Sequence, residues 1–147
     1  MSKSPRKHSL TYEIALTASL LESAMQKRFR EEGVHITPQQ LAVLALLEKQ
    51  PEGVTMHFIS EKTFRDKSAT TRIVDNLEKA HYAERHHLPG DRRVRLICIR
   101  EEGFKVLEIA SRVARQHVEL ALYDISEKDQ GTTIHVVERI RKNLKNI

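Results

Sequence analysis

The sequence predicts a mainly helical protein with one small antiparallel β-hairpin set between the helices. Three observations carry that expectation. Long stretches at both ends repeat apolar residues at helical spacing. A central stretch holds two short helices with a tight connection. Directly behind them come two short runs of strand character separated by a Pro-Gly turn. Tryptophan is absent and aromatic residues make up only 5% of the chain, so Leu, Ile, Val and Ala must supply most of the apolar surface.

Residues 1 to 8 carry Lys3, Arg6 and Lys7 without an acid and read as a mobile basic arm. A helix is expected from Ser9 or Leu10 to about Glu32. Its stripe of Leu10, Ile14, Leu21, Met25 and Phe29 is widened by Leu16, Leu20 and Ala24. That stripe is broader than one surface helix needs, which predicts two neighbours, one of them in another chain. Gly33 ends the helix as a C-terminal cap. Thr37-Pro38-Gln39-Gln40 is a strong helix start: Thr37 can cap orphan amides, Pro38 suits the first helical position, and Gln40 can complete a capping box. Leu41, Leu44, Ala45 and Leu47 give that helix a core face, ended near Pro51-Glu52-Gly53.

Val54-Thr55-Met56 reads as a very short strand, followed by a helix from about His57 to Thr63 and another from about Lys67 to Ala80, with Asp66 as N-cap. Two short helices so closely joined suggest a helix-turn-helix. Tyr82 to Leu88 and Val94 to Ile99 read as strands joined by Pro89-Gly90-Asp91-Arg92, and a hairpin in that position is a wing. Helix resumes at Glu101, with Phe104, Leu107, Ala110, Ala114, Val118 and Ala121 or Leu122 marking a stripe that extends toward Tyr123. Ser126 and Asp129 resemble a capping box opening a last helix. There Val137, Ile140, Leu144 and Ile147 step by 3, 4 and 3, the rhythm of a helix seam.

Composition and motif search narrow the function. The single cysteine, Cys98, excludes an internal disulfide framework. No run approaches the ~18 apolar residues of a membrane span, and the basic start lacks an apolar segment behind it, so a reducing cytoplasm is the expected setting. No GxSxG, P-loop or GxGxxG occurs, and no HxxxH, HExxH or CxxC spacing, so neither an enzyme nor a cofactor or metal site is expected. His86 and His87 point to opposite faces of a strand and cannot chelate one ion together. Zinc assembled from His57, His117 or His135 is the remaining metal alternative. Cys98, among Leu96, Ile97 and Ile99, reads as a buried, inert thiol rather than a redox sensor.

Charge points to nucleic acid. The chain of 147 residues carries a formal net charge of +5. From Lys62 to Arg95 there are nine basic side chains against five acids, so most of the excess sits in the second helix of the helix-turn-helix and in the wing. Phosphate contact with counterion release would require it there. On that helix Ala69, Ile73, Leu77 and Ala80 cluster on one side with Val74 flanking, while Ser68, Thr71, Arg72, Asp75 and Lys79 lie opposite. The N-terminal half of such a helix usually approaches the groove, which makes Lys67, Ser68, Thr70, Thr71 and Arg72 the candidate DNA-binding residues. Asp75 would repel phosphate. Its expected role is to accept from a base amino group or to orient a basic neighbour.

These residues resemble the MarR family of bacterial transcription regulators. DKSATTRIVDNLEKAHYAER, residues 66 to 85, is similar to that family's recognition helix and first wing strand. DRRVRLICIREEG, residues 91 to 103, is similar to its wing turn, second strand and entry to the next helix. The order of elements matches along nearly the whole chain. The resemblance implies one domain over 1–147: a winged helix-turn-helix lobe at 34–100, with helices at 9–32 and 101–147 that intertwine with a second copy. It also implies that Asp91 holds the wing's conformation in an Asp-x-Arg pattern and that Arg92 and Arg93 enter the minor groove, which adds Asp91, Arg92 and Arg93 to the candidate DNA-binding residues. Two positions depart from the family pattern. Phe64 stands where Gly is common, and Arg100 where a Thr usually caps the next helix.

The expected function is that of a sequence-specific, double-stranded DNA-binding regulator. It is read as a homodimeric repressor on a pseudo-palindromic operator. Release by a small-molecule effector is what the resemblance implies, and the residues that would bind such an effector are not identified. The alternatives are a metal- or redox-responsive regulator of the same fold, or a winged helix used for protein interaction. The last would show an apolar or acidic face where this one is basic and rich in hydroxyls.

Overall fold

The computed structural model describes residues 7–147, with side chains from Ser9 onward; Lys3 and Arg6 of the expected arm lie outside the described residues. The elements run α1 (Lys7–Glu31), α2 (Pro38–Glu48), α3 (Met56–Thr63), α4 (Lys67–Lys79), β1 (Ala83–Leu88), β2 (Asp91–Ile99), α5 (Glu101–Ala121) and α6 (Glu127–Lys145). Two compact units divide the chain, one through His117 and one from Val118 to Ile147, the boundary falling inside α5. Among the described residues, no helix is long and apolar enough to cross a membrane.

Helix starts follow the residues that can cap them. Thr37 accepts from the Gln40 amide at 3.1 Å while the Gln40 side chain accepts from the Thr37 amide at 2.8 Å, so the capping box before α2 is complete. Thr55 caps α3 through the Phe58 amide, which makes Met56 helical instead of part of a strand. Of the expected short strand only Val54 remains, bridged to Ile97 by paired backbone hydrogen bonds of 3.0 and 2.7 Å. Asp66 caps α4 through the Ala69 amide at 2.8 Å. At α5 Arg100 stands in the cap position, where its side chain cannot accept from an amide. Its backbone amide donates to Tyr82 O at 2.9 Å, tying the helix entry to the root of the wing.

Helix ends are less legible in the sequence. Gly33, at φ 70°, terminates α1 as expected. Phe64 and His81 also adopt the left-handed conformation, at φ 54° and 61°. Behind His81 the Tyr82 amide reaches Leu77 O and the His81 amide reaches Glu78 O, a Schellman end built without glycine. The turn between α3 and α4 keeps the geometry a glycine would favour, although Phe64 occupies it.

The core of the first unit forms where these elements converge. α2 contributes Val43, Leu44 and Leu47, α3 Ile59, α4 Val74 and Leu77, and the hairpin Ala83 and Ile97. Phe29 of α1, Val34 and Ile36 after it, Val54, and Leu107, Ala110 and Val113 of α5 complete it. Each of the Val, Leu, Ile and Phe side chains among them contributes roughly 1.5–3 kcal/mol by leaving water, and the two alanines less. The inward face of α5 runs through Gly103, Leu107, Ala110, Val113 and His117. It departs from the expected stripe, since Phe104 and Val118 are exposed. Among the described side chains of α1 only Phe29 is buried, with Met25 packed beside it, and Leu10, Leu16, Leu20 and Leu21 are uncovered in the single chain. In the second unit Val137 and Ile140 are half-buried while Leu144 and Ile147 are exposed.

The hairpin is tighter than expected, because Asp91 and Arg92 belong to β2 and the turn is only Pro89-Gly90. Proline before a glycine at φ 87° matches a type II turn. Pairing runs from Ala83↔Ile99 to His87↔Arg95, then shifts so that Leu88 meets Asp91. Arg92, Arg93 and Val94 are thereby left without counterparts on β1.

Gly103 sits where α5 crosses the wing root. A Cβ there would lie 2.2 Å from Tyr82 O and 2.8 Å from Ile99 Cγ1. Gly103→Ala is expected to destabilise the fold by about 1–3 kcal/mol, the usual cost of overpacking. Thermal unfolding measures this, and an unchanged midpoint would show that the helix and hairpin can separate at no cost.

Candidate nucleic-acid interface

α4 is positioned by its inner side. Val74 and Leu77 are fully buried, and Thr70, one turn before Val74, is only 1% exposed. The Thr70 hydroxyl donates to Asp66 O at 2.8 Å and accepts from Ser60 Oγ at 2.9 Å, so it links α4 to α3. Thr70 is therefore corrected from a candidate DNA contact to a residue of the helix–helix joint. The cause is rotational: the buried stripe runs through 70, 74 and 77, turned slightly from the Ala69–Ile73–Leu77 side that the sequence suggests. The signal for this in the sequence is a small polar residue four before Val74 and seven before Leu77.

The remaining candidates on α4 lie outward. Lys67, Ser68 and Arg72 are exposed, and Thr71 is half-exposed with its hydroxyl donating to Lys67 O at 2.8 Å. That bond leaves the Thr71 methyl and oxygen lone pairs for an incoming group. Together with Asp75, Asn76 and Lys79 they line one shallow concavity along the outer side of the helix. At the other end of the lobe Arg92 and Arg93 are exposed beside the wing turn. Asp91 Oδ1 accepts from the Arg93 amide at 2.9 Å. The carboxylate thus shapes the unpaired segment that carries the two arginines, and a groove contact of its own would set an anion against phosphate.

All five acids between Lys62 and Arg95 have partners within the fold. Asp66 caps α4, Asp91 holds the wing, and Glu84 meets His86 Nε2 at 2.8 Å with Arg100 Nε 3.9 Å away. Asp75 and Glu78 both pair with Arg85 on β1, at 2.6 and 3.0 Å. Burial opposes the charge of Arg85, but its hydrogen bonds and attraction to these two acids outweigh that and hold the guanidinium above its ordinary value. By contrast Lys67, Arg72, Lys79, Arg92, Arg93 and Arg95 are all exposed. Counting charges along the sequence makes Arg85 simply one more cation. The count misses a pairing across two elements, which spacing along the chain does not reveal.

No group of three or more His, Cys, Asp or Glu among the described residues is arranged to hold a metal ion. Partial burial, and secondarily the charge of Glu84, push the Cys98 thiol above its ordinary value, which keeps the nucleophilic thiolate scarce near neutral pH.

The sequence profile of the MarR family matches residues 36–94, the stretch from the α2 cap through the wing turn. PecS, an HTH-type transcriptional regulator of Dickeya dadantii (strain 3937), is 27% identical over 132 residues, covering 86% of this chain and 76% of PecS. Among solved structures, the transcriptional regulator SlyA superposes with a TM-score of 0.83 at 24% identity, covering 94% of this chain and 95% of that one. A cysteine-to-serine mutant of MarR from E. coli, solved with operator DNA, superposes at a TM-score of 0.81 and 17% identity over 90% of this chain and 94% of that one. With the helix-turn-helix and wing in the family's order and the profile matching from α2 into the second wing strand, the lobe is of the MarR type, that of DNA-binding winged helix-turn-helix transcription regulators.

Proposed function

We propose that this regulator is a homodimeric repressor that reads a pseudo-palindromic duplex site, with α4 in the major groove and the wing in the minor groove. The observation that carries the reading is the separation of charge in the lobe. Each acid there is engaged internally, while the cations on α4 and the wing are exposed. The base-reading residues are Lys67, Ser68, Thr71 and Arg72. Arg92 and Arg93 serve the minor groove, and Asp91 holds them in place. The operator complex of the fold relative MarR supports this use of the lobe. Release by a small-molecule effector rests on the likeness of the lobe to the MarR family. The raised thiol of Cys98 weighs against oxidant sensing through that residue. Selection of bound duplex from a random library by the purified protein tests the reading as a whole, and enrichment of a two-fold-symmetric sequence is the expected result.

The dimer rests on apolar surface that each unit leaves uncovered. Leu20 is 66% exposed on α1 and Leu120 is 64% exposed in the second unit. The second unit also carries an apolar cleft lined by Leu122, Ile125, Ile134 and Val137. Wet aliphatic side chains on this scale cost roughly 1.5–3 kcal/mol each relative to burial, and a two-fold dimer covers them pairwise. It also sets two recognition helices about 34–36 Å apart, one turn of duplex.

Arg72→Ala is expected to lose about 1–3 kcal/mol of specific binding, and Thr71→Ala less, because its hydroxyl proton is already donated to the helix. Affinities for the selected and a scrambled duplex, beside circular dichroism, measure this; equal and unchanged values would take α4 out of the interface. For the wing, Arg92→Ala with Arg93→Ala should weaken both duplexes alike and lower the salt slope by about 0.9 per lost phosphate contact. A wild-type slope in that double variant would exclude wing contact. Removing residues 134 to 147 should abolish tight operator binding and leave a monomer or aggregate in light scattering. A soluble dimer of full affinity would place the dimer contact elsewhere.

A further inference from the structure

We propose that Arg85 is a positioning residue for DNA binding, one that cancels the charge of two acids on the recognition helix without itself touching DNA. The inference rests on the reading of α4 as the groove-facing helix. Asp75 lies on the same helical face as Ser68, Arg72 and Lys79 and lines the concavity they share. Its side chain is about half exposed, as is that of Glu78. Left alone, Asp75 would meet approaching phosphates as a like charge and Glu78, one turn on and beside the wing, would add to the same field, which disfavours a complex strongly.

Arg85 supplies the compensation from behind. It projects from β1, opposite the buried Ile97, and its side chain is only 19% exposed. One guanidinium nitrogen reaches Asp75 Oδ1 at 2.6 Å and the other reaches Glu78 Oε2 at 3.0 Å. Both terminal nitrogens are thus committed to carboxylates, and the group is withdrawn from the surface. The fork of an arginine can span two acids on one helix, whereas a lysine offers a single point of charge. Tied to both acids and recessed, Arg85 is poorly placed to reach a phosphate. Its contribution to binding is to let Arg72 and Lys79 act without an uncompensated acid between them.

The test is a charge-rescue cycle on the full chain, with a duplex selected by the wild-type protein. Arg85→Gln should weaken binding on the order of tenfold, since it leaves two uncompensated acids near the groove. Adding Asp75→Asn and Glu78→Gln to it should restore affinity to within about threefold of wild type, because the acids that Arg85 masked are gone. Thermal unfolding confirms that each variant is folded. If Arg85→Gln alone does not fold, Arg85→Gln with Glu78→Gln carries the comparison, with Asp75 the remaining uncompensated acid. A triple variant as weak as Arg85→Gln would mean that Arg85 contacts DNA itself, and wild-type affinity in Arg85→Gln would mean that the masking has no effect; either overturns the inference. Arg72→Ala in the same assay separates the two levels. If it binds like wild type, the reading of α4 fails, and if it is weak while Arg85→Gln is not, only the role of Arg85 fails.

Discussion

The lobe depends on how α4 is seated. A helix that is to offer a polar face to a partner must be held by its other face, and here the seat is a narrow stripe of Thr70, Val74 and Leu77. Two of the three are apolar and contribute by leaving water. The third is a hydroxyl bonded to both Ser60 and its own helix, so its burial leaves no polar atom unpaired. Because the helix is anchored on that stripe, Ser68, Arg72 and Lys79 must face outward. The left-handed residues before and after α4, Phe64 and His81, set the angles at which the chain enters and leaves.

Electrostatics complete what packing begins. The region from Lys62 to Arg95 is only moderately basic by count, and a uniform distribution of those charges would make a poor ligand for a polyanion. The fold distributes them unevenly. Caps, the wing turn and the Arg85 fork draw the acids into internal bonds, and the exposed cations are left to set the surface potential. The same bonds give the wing its shape, since Asp91 organises a segment in which three residues of β2 have no partner on β1. A conformational restraint and a charge effect therefore come from the same carboxylates.

The apolar surface is divided in a similar way. Within the first unit it converges on a core to which α1 contributes little beyond Phe29 and Met25. The leucines of the α1 stripe and most of the aliphatic side chains of the second unit are uncovered in one chain. The breadth of the α1 stripe is informative for this reason: a pattern wider than its own chain can bury calls for a second surface.

By itself the sequence determined the order of the six helices, most helix starts, the wing, and the region where positive charge collects. These are local properties. Caps act over three or four residues, periodicity over a few turns, and a Pro-Gly pair over one bend. Tertiary structure decided matters that depend on neighbours distant in the chain. It rotated the buried stripe of α4 enough to take Thr70 inside, replaced a short strand with the single Val54–Ile97 bridge, and let Phe64 and His81 adopt a conformation that composition assigns to glycine. It also paired Arg85 with two acids seven and ten residues earlier, across the turn between helix and strand. The physical reason is common to all of these. Spacing along a chain says which residues share a face, but only packing against another element sets how far that face turns and which charges meet across the gap.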